Sequence, residues 1–296
     1  MNTTDLHMHS NFSTDGELAP SELVRVCKVN GLETISLTDH NSVKGLGEAI
    51  QTATAKGLTC IPGIEIDCAF EGIDLHLIGY QIDWKSADFF TLEKNFRDRV
   101  LDSFPAMIHN LEMAGISVDA DEVIASAGGQ LPSAELIAEV LLSNPVYHGN
   151  VLLKPYMKGG PRSDMPYINF YLDYFAQGKP AYVKVEFMHF DEAVSLLKAN
   201  HGIPVVAHPG INLKGKEEVV DRLLDHGAEG LEVFNNYHDL DQIRYFADKA
   251  LHRKVLATCG SDFHGKTKPL ISPGSYKSIG SYHAFVNQSI RALMRN

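Results

Sequence analysis

The chain has 296 residues, with 26 Lys and Arg against 37 Asp and Glu, for a formal net charge of −11. That balance excludes a duplex-DNA scanner, which needs a cationic surplus to release counterions, but it leaves open a small phosphorylated substrate whose charge is met by metal ions. No apolar run approaches the ~18 residues of a membrane span, and the start, MNTTDLHMHS, lacks an apolar signal core.

Cys27, Cys60, Cys68 and Cys259 lie far apart with no CxxC pair, so neither a disulfide framework nor a thiolate zinc site is expected. A cytoplasmic enzyme is the expectation, with no membrane partner and no signal for an oligomer. Fourteen histidines are the one compositional oddity.

Short apolar runs alternate with amphipathic stretches, the pattern of βα units. Along the chain the expected strands are Thr4–Leu6, Thr34–Thr38, Thr59–Ile64, Asp74–Gly79, Ile203–Ala207, Gly230–Phe234 and Val255–Thr258. Each is short and apolar, as parallel strands covered on both faces should be. Helices are expected at about 20–30, 42–56, 190–200, 215–226 and 239–251, the first opened by Pro20. Gly31, Gly57, Gly202 and Gly227 read as helix stops.

Residues 83–180 break the rhythm. Leu92–Ala114, Asp119–Ala127, Pro132–Leu142 and Met165–Ala176 read as helices separated by Gly and Pro turn signals. The expected fold is therefore α/β: a TIM-like barrel built from 1–82 and 181–296, with a helical insertion at 83–180. The barrel part amounts to roughly 200 residues, small for an eightfold barrel, and seven strands are expected.

Histidines and carboxylates recur where these strands end. His7 and His9 stand at i and i+2 on extended backbone, so their imidazoles point the same way. Asp15 follows in a polar loop, His40 closes the second strand, Glu65 the third, and His76 lies in the fourth. His208 ends the fifth, and Asp262 and His264 repeat the i, i+2 spacing after the last. Six histidines and three carboxylates are too many donors for one ion and enough for three, and they suit Zn²⁺, Mn²⁺ or Fe²⁺. A barrel gathers such residues at the carboxyl ends of its strands.

At these residues the sequence resembles the PHP (polymerase and histidinol phosphatase) family of metal-dependent phosphoesterases. The matching stretches are DLHMHSNFSTDG, LTDHNSVKG, GIEI, HLIGY, AHPG and GSDFH, in the family's order. The resemblance implies a distorted seven-stranded β/α barrel with three divalent ions. One ion would take His7, His9, Glu65 and Asp262, a second Glu65, His76 and His208, and a third Asp15, His40 and His264. Glu65 would bridge two ions, and a hydroxide held by Glu65, Asp262 and His208 would attack phosphorus. Asp39 is either a residue orienting an imidazole or an N-cap for the next helix.

The insertion resembles that of nucleoside 3′,5′-bisphosphate phosphatases and cyclic-phosphate dihydrolases. Where the former carry a Ser-Arg pair, this chain has Ser133 in the arginine's place, which argues against nucleotide bisphosphates. Other candidate substrate contacts are Arg162, Lys158, Lys179 and His238, while Tyr167, Phe170, Tyr171 and Tyr174 have core-like spacing. The expected substrate is a small phosphomonoester or cyclic phosphodiester. The alternatives are a 5′–3′ exoribonuclease or oligonucleotide hydrolase, an amidohydrolase-type C–N hydrolase, and a non-catalytic metal-binding module.

Overall fold

A computed structural model describes residues 3–294. The apolar runs form eight strands: β1 (Thr4–Asp5), β2 (Thr34–Leu37), β3 (Thr59–Phe70), β4 (Ile73–Tyr80), β5 (Met188–His189), β6 (Ile203–Val206), β7 (Gly230–Phe234) and β8 (Leu256–Cys259). Seven of them follow the order β1-β2-β3-β4-β6-β7-β8, and β5 pairs with the far end of β3. The ring closes where Leu6 N–H donates to Cys259 O at 3.0 Å and Met8 bridges to Phe263. This is the distorted seven-stranded barrel that the sequence led us to expect.

Its distortion lies at β4. A parallel strand was expected there, but β4 runs antiparallel to both β3 and β6. The cause is local. Phe70 and Ile73 pair across a two-residue loop, and Glu71 and Gly72 both take positive φ (51° and 77°). That is the hairpin geometry whose twist matches the flanking strands. β3 consequently continues six residues past Ile64, and His76 reaches the site from the middle of a reversed strand, beside Asp67.

Helices α1 (Pro20–Val29), α2 (Leu46–Lys56), α7 (Phe190–Ala199), α9 (Val219–Asp225) and α10 (Leu240–Arg253) cover the barrel near their expected places, and a single turn, α8 (Pro209–Asn212), precedes α9. α2 starts four residues later than the pattern suggests. Gly57 stops it in the left-handed conformation (φ 67°), as expected. At 202 the expectation needs adjustment: His201 carries the positive φ (61°), and Gly202 is required because a Cβ there would lie 2.7 Å from Ile82 Cγ2. An unanticipated helix, α11 (His283–Leu293), buries Val286, Ile290 and Leu293 against β8 and the barrel core.

Between β4 and β5 lie α3 (Ala87–Met113), α4 (Ala120–Ala127), α5 (Ala134–Ser143) and α6 (Pro166–Tyr174). The start of α3 belongs to the barrel, where Phe89 and Leu92 join its core. Its later part joins a second core containing Phe104, Leu111, Val123, Ile137, Leu141 and Phe170. Polar ties fasten this helical unit to the barrel: Gln130 Nε2 donates to Asn11 O at 3.2 Å, and Lys266 Nζ pairs with Glu139 at 2.6 Å.

Candidate metal centre

β1 is followed by Leu6-His7-Met8-His9 in extended form. Met8 is turned toward Cys27 of α1, which places His7 and His9 on the opposite side. His7 Nε2 lies 3.1 Å from His9 Nε2, 3.0 Å from Glu65 Oε2 and 3.3 Å from Asp262 Oδ1. His9 Nε2 is 3.1 Å from the same oxygens of Glu65 and Asp262. A regular tetrahedron with metal–ligand bonds of 2.0–2.1 Å has edges of roughly 3.3 Å. Five of the six edges among these four atoms lie within about 0.3 Å of that length.

Hydrogen bonding directs the lone pairs inward. Glu232 Oε1 sits 3.1 Å from His7 Nδ1 and can only accept, so the tautomer it favours has Nδ1–H and a bare Nε2. His264 donates Nδ1–H to the Asp262 carbonyl at 2.9 Å, and its Nε2 makes no hydrogen bond but lies 3.1 Å from Asp15 Oδ2. Asp15 Oδ1 and Asp262 Oδ1 are likewise buried and make no hydrogen bond, although Asp262 Oδ1 lies 3.1 Å from His9 Nε2. Buried polar atoms left without a partner are costly. Here His264 Nε2 and Asp262 Oδ1 each face another donor of the clusters across 3.1 Å.

Two further groups adjoin the first. Glu65 Oε1 lies 3.0 Å from His76 Nδ1 and 3.1 Å from His208 Nε2, so one carboxylate serves two clusters through its two oxygens. Ligating atoms of His9, Asp15, His40 and His264 lie within 4.8 Å of one another, as do those of His40, Asp67 and His76. The structure thus brings together all nine sequence-predicted donors and adds Asp67. Asp67 stands two residues after Glu65 on the same strand face, a spacing visible in GIEID.

The charges match. Burial resists ionising Glu65, but the imidazoles of His7, His40 and His76 hold its carboxyl well below the usual range. Burial likewise opposes charge on His40, yet Glu65 and Asp67 push it up to about 10. Burial holds His264 down to about 4, in the neutral form a ligand needs.

Backbone strain collects at the same place. His208 (φ 25°) and Asp262 (φ 56°) both occupy the left-handed region without being glycine. Each such position costs on the order of 1–3 kcal/mol and survives only where the surroundings enforce it. Around His208, Glu232 Oε2 accepts the backbone N–H at 2.7 Å and Asn212 Oδ1 holds Nδ1 at 2.6 Å. Lys268 Nζ holds Asp262 Oδ2 at 2.6 Å.

Three of these supporting residues escaped the sequence reading. Glu232 had a signal, being the one acid in the fully buried strand GLEVF. Lys268 and Asn212 had none, because only the fold carries them to the site. Asp39 clasps Ser10, accepting from its N–H at 2.6 Å and its hydroxyl at 2.7 Å. It caps no helix, since α2 starts only at Leu46 behind Gly45.

A cavity of about 660 Å³ opens above the centre, walled largely by the helical unit. The four expected substrate contacts do not line it. Arg162 is held by Asp173, with Nε and Nη2 each 3.0 Å from its oxygens, and by the Asn169 carbonyl. Lys158 and Lys179 are exposed elsewhere. His238 is fully buried, with Nδ1 on the Val233 carbonyl and Nε2 accepting from Gly210 N–H, so it shapes the turn after His208. Phe170 is buried in the second core, Tyr167 and Tyr174 pack against that core, and Tyr171 also reaches the cavity wall.

The family model for the PHP domain matches residues 5–143. A 3′,5′-nucleoside bisphosphate phosphatase of Chromobacterium violaceum is 29% identical over 267 residues, covering 89% of this chain and 88% of that one. A 5′-3′ exoribonuclease of Haemophilus influenzae is also 29% identical, over 88% of this chain and 89% of its own.

Residues 5–143 carry a PHP domain, and the chain is a hydrolase of phosphoester bonds.

A solved structure agrees in fold: a protein from Chromobacterium violaceum, described as an amidohydrolase with bound sulfate and no metal, superposes with a TM-score of 0.80. It is 25% identical and covers 98% of this chain and 96% of its own. The buried and half-buried His, Glu and Asp clusters have the donor types and spacing of a multi-metal site typical of PHP domains. Among the described residues no helix is long and apolar enough to cross a membrane.

Proposed function

We propose that the chain hydrolyses a small phosphomonoester or cyclic phosphodiester at a centre of three divalent ions, Mn, Zn or Fe, beneath a cap formed by 83–180. The observation that carries this reading is the convergence of the nine donors in overlapping groups, with Asp15 Oδ1, Asp262 Oδ1 and His264 Nε2 buried and making no hydrogen bond. His7, His9, Glu65 and Asp262 would hold one ion, Glu65, His76 and His208 a second, and Asp15, His40 and His264 a third, with His9 adjoining. Bound divalent ions supply Lewis-acid stabilisation of phosphoryl charge and an acidified water nucleophile at neutral pH.

The chain's own residues do the positioning. Glu65 spans two clusters and keeps their spacing, and Asp262 and His208 flank it on strained backbone, so reacting groups meet a preorganised frame. Lys268 neutralises the outer oxygen of Asp262. The cap walls the cavity with apolar side chains, which exclude water and bound the leaving group.

The test is phosphate release from p-nitrophenyl phosphate by Mn-loaded protein, with metal content measured alongside. In Asp262→Asn, Lys268 should claim the carbonyl oxygen and turn an NH₂ toward the ions, lowering turnover roughly 100-fold or more. Unaltered turnover counts against the reading, as does full activity after exhaustive chelation. A second reading, an exoribonuclease, draws on the Haemophilus influenzae relative. An end-labelled oligonucleotide that is never shortened removes it.

A further inference from the structure

The cavity above the metal centre has a marked chemical asymmetry. Its floor is made of donors such as His40, His76 and His208, and its walls of apolar groups: Phe96 and Met107 from α3, Ile168 and Leu172 from α6, and Val185 and Phe187 from the returning chain. Apart from donors of the metal clusters, the charged residues on its surface are Asp74, Glu135 and Lys268.

Lys268 is spoken for. Its ammonium lies 2.6 Å from Asp262 Oδ2 and 5.3 Å from the centre of the Tyr237 ring. Lys184 is close enough for its charge to be felt at Asp74, but it lies outside the lining. Among the described residues that line the cavity, no cation is therefore free to receive an anionic group carried away from the reacting phosphate. Arg162, the residue best suited by type, is committed to Asp173. Ser133 lines the wall, but its hydroxyl accepts from Leu136 N–H at 3.2 Å to cap α5. Two residues further on, where α5 faces the cavity, the side chain is the carboxyl of Glu135.

We propose that Glu135 is a specificity-determining residue and that the substrate is a phosphate ester whose remainder is uncharged and apolar or aromatic, without a second anionic group. The inference deepens the small-ester reading and rests on it. An apolar remainder gains by leaving water for walls of Phe, Met, Ile and Leu. A second phosphate or carboxylate would lose its hydration there, find no cation, and face Glu135 at low dielectric. Specificity of this kind is built by repulsion as much as by attraction. The consequence separates this chain from a bisphosphate phosphatase, whose substrate carries two phosphates.

The test compares para-carbamoylphenyl phosphate with para-carboxyphenyl phosphate, near-isosteres that differ by one charge, on the Mn-loaded full chain. The amide should be favoured in kcat/KM by roughly tenfold or more. Glu135→Gln should narrow the ratio and Glu135→Arg should reverse it, with circular dichroism confirming that both variants fold. Calorimetric titration with the matching aryl phosphonates should give the same ranking in affinity, independent of turnover.

Equal use of both esters, preference for the charged one, or a ratio indifferent to Glu135→Arg overturns the inference while leaving the small-ester reading intact. Turnover of neither ester, with no phosphonate binding, overturns both.

Discussion

Glu232→Gln tests the architecture of the centre without touching any proposed ligand. Glu232 is fully buried, and its two oxygens have different duties: Oε2 accepts from His208 backbone N–H at 2.7 Å, and Oε1 faces His7 Nδ1 at 3.1 Å. A backbone N–H cannot change tautomer, so in the variant it claims the single carbonyl oxygen. The new NH₂ must then face His7. His7 can meet it only by accepting at Nδ1, which moves its proton to Nε2, the atom 3.0 Å from Glu65 and 3.1 Å from His9. A protonated Nε2 cannot bind metal.

Loss of such a supporting partner lowers metal affinity about 10–100-fold, equivalent to ~1.4–2.7 kcal/mol. The assay is a competition titration of the metal against a chelator of known affinity, on wild-type and variant protein of matched thermal stability. One tightly held equivalent should weaken by at least that lower factor. An isotherm that superposes on wild type would refute the tautomer argument, because the side chain's shape is retained and only its hydrogen-bonding polarity has changed.

Two further outcomes follow from the same geometry. In Gly260→Ala the new Cβ would lie 2.2 Å from His7 Cβ and 2.7 Å from Glu232 Oε1. The strand end must shift, costing about 1–3 kcal/mol by thermal unfolding together with loss of metal retention; a variant indistinguishable from wild type would contradict the packing. For pH, burial disfavours charge on His7 and His40, yet the facing carboxylates raise both, His40 to about 10. A folded-state value above the unfolded one means their stabilisation is complete below about 6.5 and fades as pH rises toward 10 in chelated protein. Metal-loaded protein needs these imidazoles unprotonated and should gain affinity over the same range. The unfolding midpoints of the two forms should therefore diverge with rising pH, and parallel curves would contradict this.

Much of the site was legible because its signals are local. The i, i+2 pairs His7/His9 and Asp262/His264 declare a shared direction wherever the backbone is extended, and Glu65 and His208 follow directly on apolar strand runs. The substrate contacts were not legible. Arg162 sits in a glycine- and proline-rich loop that reads as a binding loop, but its partner Asp173 is eleven residues away on α6, a pairing that depends on how the loop folds back. His238 failed for a related reason: a histidine at a helix start looks accessible until Val233 O and Gly210 N–H occupy both its nitrogens.

By itself the sequence determined where seven of the strands lie along the chain, the helical interruption and the donor types, because each rests on periodicity or short spacing that survives in one dimension. Tertiary structure alone decided the rest: the reversal of β4 that brings His76 beside Asp67, the pairing of Glu232 with both His7 and His208, and the capture of Lys268 by Asp262. These partners come from separate strands and loops, the ends of β7 and β8 among them. Their mutual neutralisation depends on distances of about 3 Å that no spacing along the chain encodes, and it arises only when the barrel closes and removes water from between them.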